Sequence, residues 1–288
     1  MNNPAHIDPD YLRPRLLHRE NESHKGDYGH LLIVAGCQTM PGAAVLATGA
    51  ALKSGCGLVT VHSTPRALQA VIGNFPSAML SEEESRPYFS RVPDALGRYS
   101  AIAVGPGLGR DNLTAEALQK LLDAAKKTGI PMVLDADALN LLSEHPSWLS
   151  GIPAGSVMTP HLGELRRLVP FGKGHEEDAT RELTAKTGCV VVLKGFHTRV
   201  LSPDGIGLVN TTGNPGLAKA GSGDVLTGLL AGLLARGYAA LDAAALAVWL
   251  HGFAGDRLTA ARTAESWSSR DLIDQLYTGF KELENSRA

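Results

Sequence analysis

The sequence predicts an α/β fold, with an open and mostly parallel central sheet and helices on both faces of it. Short apolar runs alternate with helical patterns along most of the 288 residues, and many of these runs end in a glycine or a glycine-rich loop. Near-continuous apolar strands are typical of a parallel sheet whose two faces are both covered. No composition break marks a linker, so we expect one domain over residues 26–288, preceded by an N-terminal arm or short helix over residues 1–25 that lies outside the core.

The first elements predict a βαβ unit: a buried strand over residues 30–36, an alanine-rich helix over 41–55 and a second strand over 57–63. The pattern then repeats. The further predicted strands are 100–104, 131–135, 156–159 and 189–194, with a helix over 113–127. The turn residues Pro203, Asp204 and Gly205 favour a hairpin between 198–201 and 207–209. The remaining chain predicts helices over 224–236, 239–258 and 269–284.

Ligands of an open parallel sheet bind at the carboxyl ends of its strands. The loops that should share this edge are 36–43, 105–109, 135–140, 159–164, 194–198 and 213–224. We therefore expect the functional residues to lie in these loops.

Composition excludes several classes of function. The formal net charge is −2 and aromatic residues make up 5% of the chain, so neither nucleic acid nor an anionic membrane surface is indicated as a partner. The three cysteines, Cys37, Cys56 and Cys189, are far apart and in apolar surroundings, as expected of reduced thiols. The polar N-terminus has no apolar signal region, and we expect a cytoplasmic protein.

The most informative stretch is the glycine-rich loop of residues 213–223 and the leucine-rich helical pattern that follows it. A bare backbone and a helix N-terminus together form a cradle for an anion, most often phosphate. Asp224 at the mouth of this cradle has two interpretations. It is either the N-cap of the helix, or a general base that takes a proton from a hydroxyl attacking the bound phosphate.

Other candidates are less specific. The run from Gly105 to Gly109 fits either a dinucleotide-binding turn or, as we prefer, a glycine-lined substrate wall. His161 is either a residue of a helix start or a ligand contact, and Lys194 either meets a nucleotide phosphate or is a solvated strand end. Asp135 and Asp137 could serve Mg²⁺ or form a turn and cap. Because no CxxC, HExxH or complete metal-ligand set is present, we expect Mg²⁺ mainly on the nucleotide phosphates.

Together these segments resemble the ADP/ATP-dependent NAD(P)H-hydrate dehydratases of the ribokinase-like superfamily. The resemblance covers residues 24 to 280. Its segments are 24–36, 40–44, 52–59, 105–109, 134–141, 159–164, 193–195, 213–216, 221–226 and 251–256.

The resemblance implies an enzyme that removes water from the S epimer of hydrated NADH or NADPH, with ADP or ATP as co-substrate. It assigns the hydrated dinucleotide to Ala43, Gly107, His161 and Asp224. It assigns the adenine nucleotide to Lys194, Gly195, Phe196, His197, Thr198, Gly221, Ser222 and Gly223. Asp224 would be the catalytic residue. The resemblance also implies a homo-oligomer, with a tetramer as the expected state, and a separate NAD(P)HX epimerase as its pathway neighbour.

The chain departs from the family pattern in two respects. Lys219 and Ala220 precede Gly221, where relatives often begin the loop with two glycines. We also expect no fused epimerase domain of the kind that many bacterial relatives carry, so epimerisation would come from a separate protein. Three other functions remain as alternatives. The first is a small-molecule kinase of the same superfamily, of hydroxyethylthiazole or pyridoxal type. The second is a nucleotide-binding regulator without turnover, and the third is an oxidoreductase.

Overall fold

Strands and helices alternate around one sheet in a computed structural model that describes residues 4–83 and 87–285. The strands are β1 (Ala5–Ile7), β2 (His30–Val34), β3 (Leu58–Ser63), β4 (Met79–Glu82), β5 (Ala101–Val104), β6 (Met132–Leu134), β7 (Val157–Met158), β8 (Val190–Leu193), β9 (Arg199–Leu201) and β10 (Gly207–Asn210). The helices are α1 (Pro9–Leu12), α2 (Pro41–Leu52), α3 (Pro65–Asn74), α4 (Asn112–Thr128), α5 (Ala136–Glu144), α6 (Leu162–Leu168), α7 (Glu176–Thr187), α8 (Ser222–Ala235), α9 (Ala240–Ala261) and α10 (Ser269–Asn285).

The strands form a single sheet in the order β1-β10-β9-β8-β7-β6-β5-β2-β3-β4. Only β9 runs antiparallel to its neighbours, β8 and β10, among the strands described. The predicted α/β class with an open, mostly parallel sheet is confirmed. The predicted hairpin is present as β9 and β10. The chain reverses between β8 and β9 and again between β9 and β10. The chain therefore leaves β10 at the same edge as it leaves β8, which returns the glycine-rich loop to the ligand edge.

Helices cover both faces of the sheet, and the side-chain alternation of β2 shows this directly. Leu31 and Ile33 belong to one buried cluster, which α2, α8, α9 and α10 complete. Leu32 and Val34 belong to a second cluster, which α4, α5, α6 and α7 complete. All four side chains are fully buried, so β2 is apolar on both faces, as a central parallel strand must be.

Helix α8 packs very closely on α2. A Cβ atom built on Gly228 would lie 2.0 Å from the carbonyl oxygen of Ala47, and one on Gly232 would lie 2.1 Å from Ser54 Oγ. Only glycine permits this approach of the two helices. The glycines that interrupt the leucine-rich pattern therefore fix how α8 sits against α2.

The N-terminal residues differ from the expectation that residues 1–25 lie outside the core. Strand β1 pairs in parallel with β10 at the sheet edge, and Ile7 and Leu12 are buried in the first cluster. Burial of two apolar side chains and three residues of strand pairing hold this segment on the sheet. Residues 1–3 of the proposed arm lie outside the described residues, and the division at residue 25 stays a prediction.

Cys37, Cys56 and Cys189 are buried and none forms a disulfide in the described part of the chain. Burial raises the pKa of the Cys189 thiol to about 11, which keeps it protonated and unreactive at neutral pH. Across residues 4–83 and 87–285, no helix combines the length and apolarity needed to cross a lipid bilayer.

Candidate active site

The loops after β2 and β5 meet at the carboxyl edge of the sheet. The Gly36 N–H donates to the Pro106 carbonyl at 2.8 Å. A Cβ on Gly107, whose φ is +62°, would lie 2.8 Å from the Cβ of Ala43. Ala43 and Gly107, both assigned to the hydrated dinucleotide by resemblance, are thus neighbours on one bare surface. We call residues 36–43 and 105–109 the glycine wall.

The dinucleotide-turn interpretation of residues 105–109 does not fit this geometry. Helix α4 begins only at Asn112, behind an N-cap formed by the Asp111 side chain, so its N-terminal N–H groups do not open on Gly107. Gly105 instead serves packing, because a Cβ there would lie 1.8 Å from the carbonyl oxygen of Asp135. The loop therefore packs the end of β5 closely against the end of β6.

The glycine-rich loop runs directly into α8, which begins at Ser222 with Gly221 as its N-cap residue in the left-handed region at φ +85°. Asp224 lies within the first turn, so its interpretation as the N-cap is wrong. In the described part of the chain, the N–H groups of Gly223 and Asp224 have no hydrogen-bond acceptor. These N–H groups and the positive end of the helix dipole are the groups that the predicted anion site would use.

A buried ion pair lies beneath this helix start. Lys194 Nζ donates to Asp135 Oδ1 at 2.6 Å and lies 3.8 Å from Glu164 Oε2. The second carboxylate oxygen of Asp135 accepts a hydrogen bond from Thr227 Oγ1 at 2.7 Å. The Asp135 side chain is 2% exposed and that of Lys194 is 20% exposed, so Lys194 is the less buried member of the pair.

Gly223 connects the ion pair to the anion site. A Cβ on Gly223 would lie 3.7 Å from both Lys194 Nζ and Asp135 Oδ2. The structure therefore brings the glycine loop, Lys194 and Asp135 to one point, although they are 29 to 88 positions apart in pairs along the chain. A phosphate bound at the start of α8 would therefore lie close to the Lys194 ammonium group.

Asp224 has the electrostatics of a general base. Burial raises its pKa to about 6, with a further contribution from the negative charge of Asp135, against a lowering by Lys194. A carboxylate with a pKa near 6 is ionised at neutral pH and is a better proton acceptor than an ordinary aspartate. The side chain is half-buried, which leaves it accessible to a ligand in the cleft.

Burial and neighbouring charges also shift the pKa values of Lys194 and Glu164. Burial alone would lower the pKa of Lys194, but the charges of Asp135 and Glu164 outweigh it and raise the pKa overall. Burial raises the pKa of Glu164, and Asp135 adds to this, while Lys194 opposes it. Lys194 therefore stays protonated and gives the floor of the site one positive charge.

His161 is both a helix cap and an exposed side chain. Its Nδ1 accepts hydrogen bonds from the N–H groups of Gly163 and Glu164, and Glu164 Oε2 accepts from the His161 N–H at 2.8 Å. This reciprocal pattern is a capping box at the start of α6. The cap fixes the ring with Nδ1 as an acceptor, and the ring remains 53% exposed at the cleft edge.

The loop after β8 is open to solvent. Phe196 is 86% exposed, and His197 adopts the left-handed region at φ +56°, with the two rings 4.0 Å apart. Thr198 Oγ1 donates to the Gly195 carbonyl at 3.1 Å and closes the loop. The residues expected to hold the nucleotide thus follow Lys194 directly and face solvent before any ligand binds.

Two site residues were not singled out by sequence reasoning. Thr227 completes the bonding of Asp135 and is fully buried. His251 on α9 lies 2.9 Å from the Ser222 carbonyl oxygen through Nε2, and burial lowers its pKa to about 4. His251 is therefore neutral and donates to the first turn of α8. A threonine one turn after Asp224 in an otherwise apolar helix was the available signal for Thr227.

Protein carboxylates do not form a metal cage here. Among the described residues, no group of three or more His, Cys, Asp or Glu side chains could hold a metal ion. Asp135 is bonded to Lys194 and Thr227, and Asp137 Oδ2 accepts from the Gly109 N–H at 2.8 Å. Neither aspartate caps α5 with its side chain in the manner expected. These residues fit Mg²⁺ only as a companion of a bound nucleotide.

A cavity of about 490 Å³ lies on the outer side of the glycine-rich loop, between residues 215–220 and 264–269. It contains neither Asp224 nor Lys194. The lysine that lines it, Lys219, donates hydrogen bonds to the carbonyl oxygens of Ala264 and Trp267 at 3.0 and 2.5 Å. We therefore place the active site at the ion pair and the start of α8, where the ionisable groups converge.

Comparison with known proteins identifies the family of the chain. A family model described as NAD(P)H-hydrate dehydratase matches residues 31–277. A bifunctional NAD(P)H-hydrate repair enzyme of Moorella thermoacetica is 38% identical over 290 residues, which cover 95% of this chain and 53% of that protein. The chain thus spans about half the length of the first relatives it matches.

Two matches extend over nearly the whole length of both proteins. The ADP-dependent (S)-NAD(P)H-hydrate dehydratase of Bacillus subtilis is 34% identical over 281 residues, covering 96% of this chain and 97% of that protein. A crystal structure of the ADP/ATP-dependent NAD(P)H-hydrate dehydratase of Bacillus subtilis, co-crystallised with ATP and Mg²⁺, has a TM-score of 0.84 at 30% identity. It covers 98% of this chain and 99% of that one.

Proposed function

Because the chain belongs to the NAD(P)H-hydrate dehydratase family, we propose that it dehydrates the S epimer of hydrated NADH or NADPH. The co-substrate is ADP, which gives AMP and phosphate, or ATP, which gives ADP and phosphate. The reaction restores the usable coenzyme from its hydrated form, so the function is repair of nicotinamide nucleotides.

The observation that carries the proposal is the position of Asp224. Its carboxylate stands in the first turn of α8, beside the free N–H groups of an anion site and near the Lys194 ammonium group. A base with a pKa of about 6 next to a phosphate site suits a reaction in which a hydroxyl attacks a phosphoryl group.

The residues divide the chemistry among them. Asp224 takes the proton from the C6 hydroxyl of the hydrated nicotinamide ring as that oxygen attacks the terminal phosphoryl group of the nucleotide. The N–H groups at the start of α8 and the Lys194 ammonium group stabilise the charge that develops on the transferred group. The phosphorylated oxygen then leaves C6 as phosphate, driven by the ring nitrogen's lone pair, and loss of the C5 proton restores the double bond.

The binding roles follow from the two sides of this centre. Ala43, Gly107 and His161 would contact the hydrated dinucleotide on the side of the glycine wall. Lys194 to Thr198, with Gly221, Ser222 and Gly223, would hold the adenine nucleotide on the side of β8. Mg²⁺, when bound with the nucleotide, would supply charge neutralisation on its phosphates.

The test is incubation of the protein with hydrated NADH and either ADP or ATP, following the return of absorbance in the reduced nicotinamide band. Release of free phosphate together with AMP or ADP is the expected product pattern. Absence of restored NADH with both nucleotides contradicts the proposal. A kinase of the same superfamily would instead release a stable phosphoester, and a non-catalytic regulator would consume neither nucleotide.

We further propose that the protein acts in the cytoplasm as a homo-oligomer, with a tetramer as the expected state. An NAD(P)HX epimerase activity would supply the S epimer from the R epimer. Light scattering of the purified protein tests the assembly, and an S-only substrate requirement tests the need for epimerisation.

A further inference from the structure

We infer that residues 87–91, which follow the edge strand β4, form the outer wall of the dinucleotide site, and that the Tyr88 ring packs against the adenine ring of the hydrated dinucleotide. The inference rests on the proposed function and names a specificity-determining residue of the same site. It is carried by the contacts that tie this segment to the glycine wall and to the sheet.

A buried carboxylate holds the segment in place. Glu83, at the end of β4, is 1% exposed, and its oxygens accept from the Ser90 N–H at 3.0 Å, Ser90 Oγ at 2.9 Å and the Arg91 N–H at 3.2 Å. His62 Nε2 lies 2.8 Å from the same carboxylate. Burial alone would raise the pKa of Glu83, but these hydrogen bonds lower it to about 2. Glu83 is thus a fixed negative charge that anchors the backbone of residues 90 and 91.

The segment is also anchored from the opposite side. The Phe89 side chain is 2% exposed in the second buried cluster, and its carbonyl accepts from Thr114 Oγ1 at 3.0 Å. The Phe89 ring meets the His62 ring edge to face at 5.8 Å. With residues on both sides of Tyr88 fixed in this way, the position of Tyr88 itself is set by the fold.

From this anchored position the segment reaches the glycine wall. The Gln38 N–H donates to the Pro87 carbonyl at 3.0 Å. The Tyr88 ring lies over the bare α-carbon of Gly109, because a Cβ built there would be 3.7 Å from Tyr88 Cδ1 and 3.9 Å from Cε1. Tyr88 is half-buried, while Gln38 and Met40 on the glycine wall are exposed. An aromatic face therefore borders the surface that Gly107 and Ala43 form.

A hydrogen-bonded series of side chains, Ser81 to His62 to Glu83, resembles a hydrolytic triad. The structure excludes that function. His62 Nδ1 lies 2.9 Å from Ser81 Oγ, and its Nε2 lies 2.8 Å from Glu83. The His62 side chain is 0% exposed, so no substrate could reach the base. The Glu83 carboxylate is already occupied by Ser90 and Arg91. The cluster is an anchor.

Geometry assigns Tyr88 to the adenosine half of the dinucleotide. The reacting nicotinamide ring must lie at Asp224, over the strand ends of β6 and β8, and the adenine nucleotide lies on the β8 side. The rest of the dinucleotide must then run the other way, across the glycine wall toward the loops after β5, β2 and β4. Adenine is a flat heteroaromatic ring, and a phenol ring is a good stacking partner for it.

The experiment compares Tyr88→Ala and Tyr88→Phe on two substrates. One is hydrated NADH, and the other is hydrated reduced nicotinamide mononucleotide, which lacks the adenosine half. Loss of one base-stacking contact should raise KM for hydrated NADH by about 5- to 100-fold in Tyr88→Ala. KM for ADP, and KM for the mononucleotide, should stay within about twofold of wild type, as should every constant of Tyr88→Phe.

The control is Tyr277→Ala on α10, where the ring is 59% exposed and lies outside the site. It should leave all three KM values unchanged. A Glu83→Gln variant should reproduce the effect of Tyr88→Ala on hydrated NADH alone, provided that circular dichroism shows it folded. An unchanged KM for hydrated NADH in folded Tyr88→Ala overturns the inference, as does an equal rise for the mononucleotide. A wild-type protein that turns over neither substrate contradicts the proposed function instead.

Discussion

Replacing Asp224 with Asn should remove activity and stabilise the fold at the same time. In the folded protein the pKa of Asp224 is raised from 3.8 to about 6, chiefly by burial. Each unit of pKa corresponds to about 1.4 kcal/mol, so the ionised carboxylate costs the folded state on the order of 1 to 3 kcal/mol after solvent screening. Asn carries no charge and avoids this cost, but it cannot accept the hydroxyl proton. We expect turnover to fall by about 10²- to 10⁴-fold.

The sign of the stability effect depends on pH. Above pH 6 Asp224 is ionised in both the folded and the unfolded protein, and the penalty is fully present. Below its ordinary pKa of 3.8 the carboxyl is protonated in both states and the penalty vanishes. Urea unfolding should therefore show Asp224→Asn more stable than wild type at pH 8, with a gap that closes between pH 6 and pH 4.

The matched control is Asp123→Asn, on an exposed position of α4, which should change neither turnover nor the free energy of unfolding. Near-normal turnover of Asp224→Asn with hydrated NADH and ADP would refute the base assignment. Equal stability of the two proteins at pH 8 would refute the claim that Asp224 is held ionised against its burial.

Three further predictions concern the same site. Asp135→Asn breaks the buried ion pair and leaves Lys194 without its closest counter-charge, so urea unfolding should show the free energy of unfolding lowered by about 3–5 kcal/mol. Thr227→Val removes only the hydroxyl bonded to Asp135 and should lower it less, by about 1.5–3 kcal/mol. The acid limb of the pH profile of kcat/KM should rise through a pKa near 6 as free Asp224 ionises, and a flat profile between pH 5 and 7 would contradict this. Gly105→Ala should destabilise the protein by more than about 1 kcal/mol and raise KM for the dinucleotide, because the added Cβ would collide with the Asp135 carbonyl oxygen. A melting temperature equal to that of wild type would contradict this and show that the backbone of the loop can shift to make room for the methyl group.

Much of the fold was predictable because central strands of a parallel sheet are apolar on both faces. The runs at β2, β3, β5, β6 and β8 all became strands within one or two residues of their predicted limits. The edge strands β1 and β4 were missed. Met79 and Leu80 in β4 are 39% and 43% exposed, so this strand exists through pairing with β3 and carries no apolar pattern that sequence could reveal. The three residues of β1 are too few to show a period.

The site was predictable in its location more than in its bonding. Because every parallel strand ends at one edge, the sequence placed Lys194, Asp135 and the glycine loop together without knowing any contact. It could not show that Asp135 bonds Lys194 and Thr227, since a side chain on α8 and one after β6 meet only through packing. It also left Asp224 open between cap and base. The start of α8 at Ser222, with Gly221 as the N-cap residue, excludes the cap, and the role of base stays a proposal.

The close packing of α8 on α2 also bears on how the two phosphorylated substrates of the proposed reaction would approach each other. Both helices start at the same edge of the sheet, α2 near Ala43 and α8 near Asp224, and Gly228 lets them run side by side. Their two positive ends therefore open on one cleft. A dinucleotide and a nucleoside diphosphate repel each other strongly through their phosphates. Under the proposed function, the two adjoining helix ends, held together by the bare backbone at Gly228 and Gly232, would offset that repulsion.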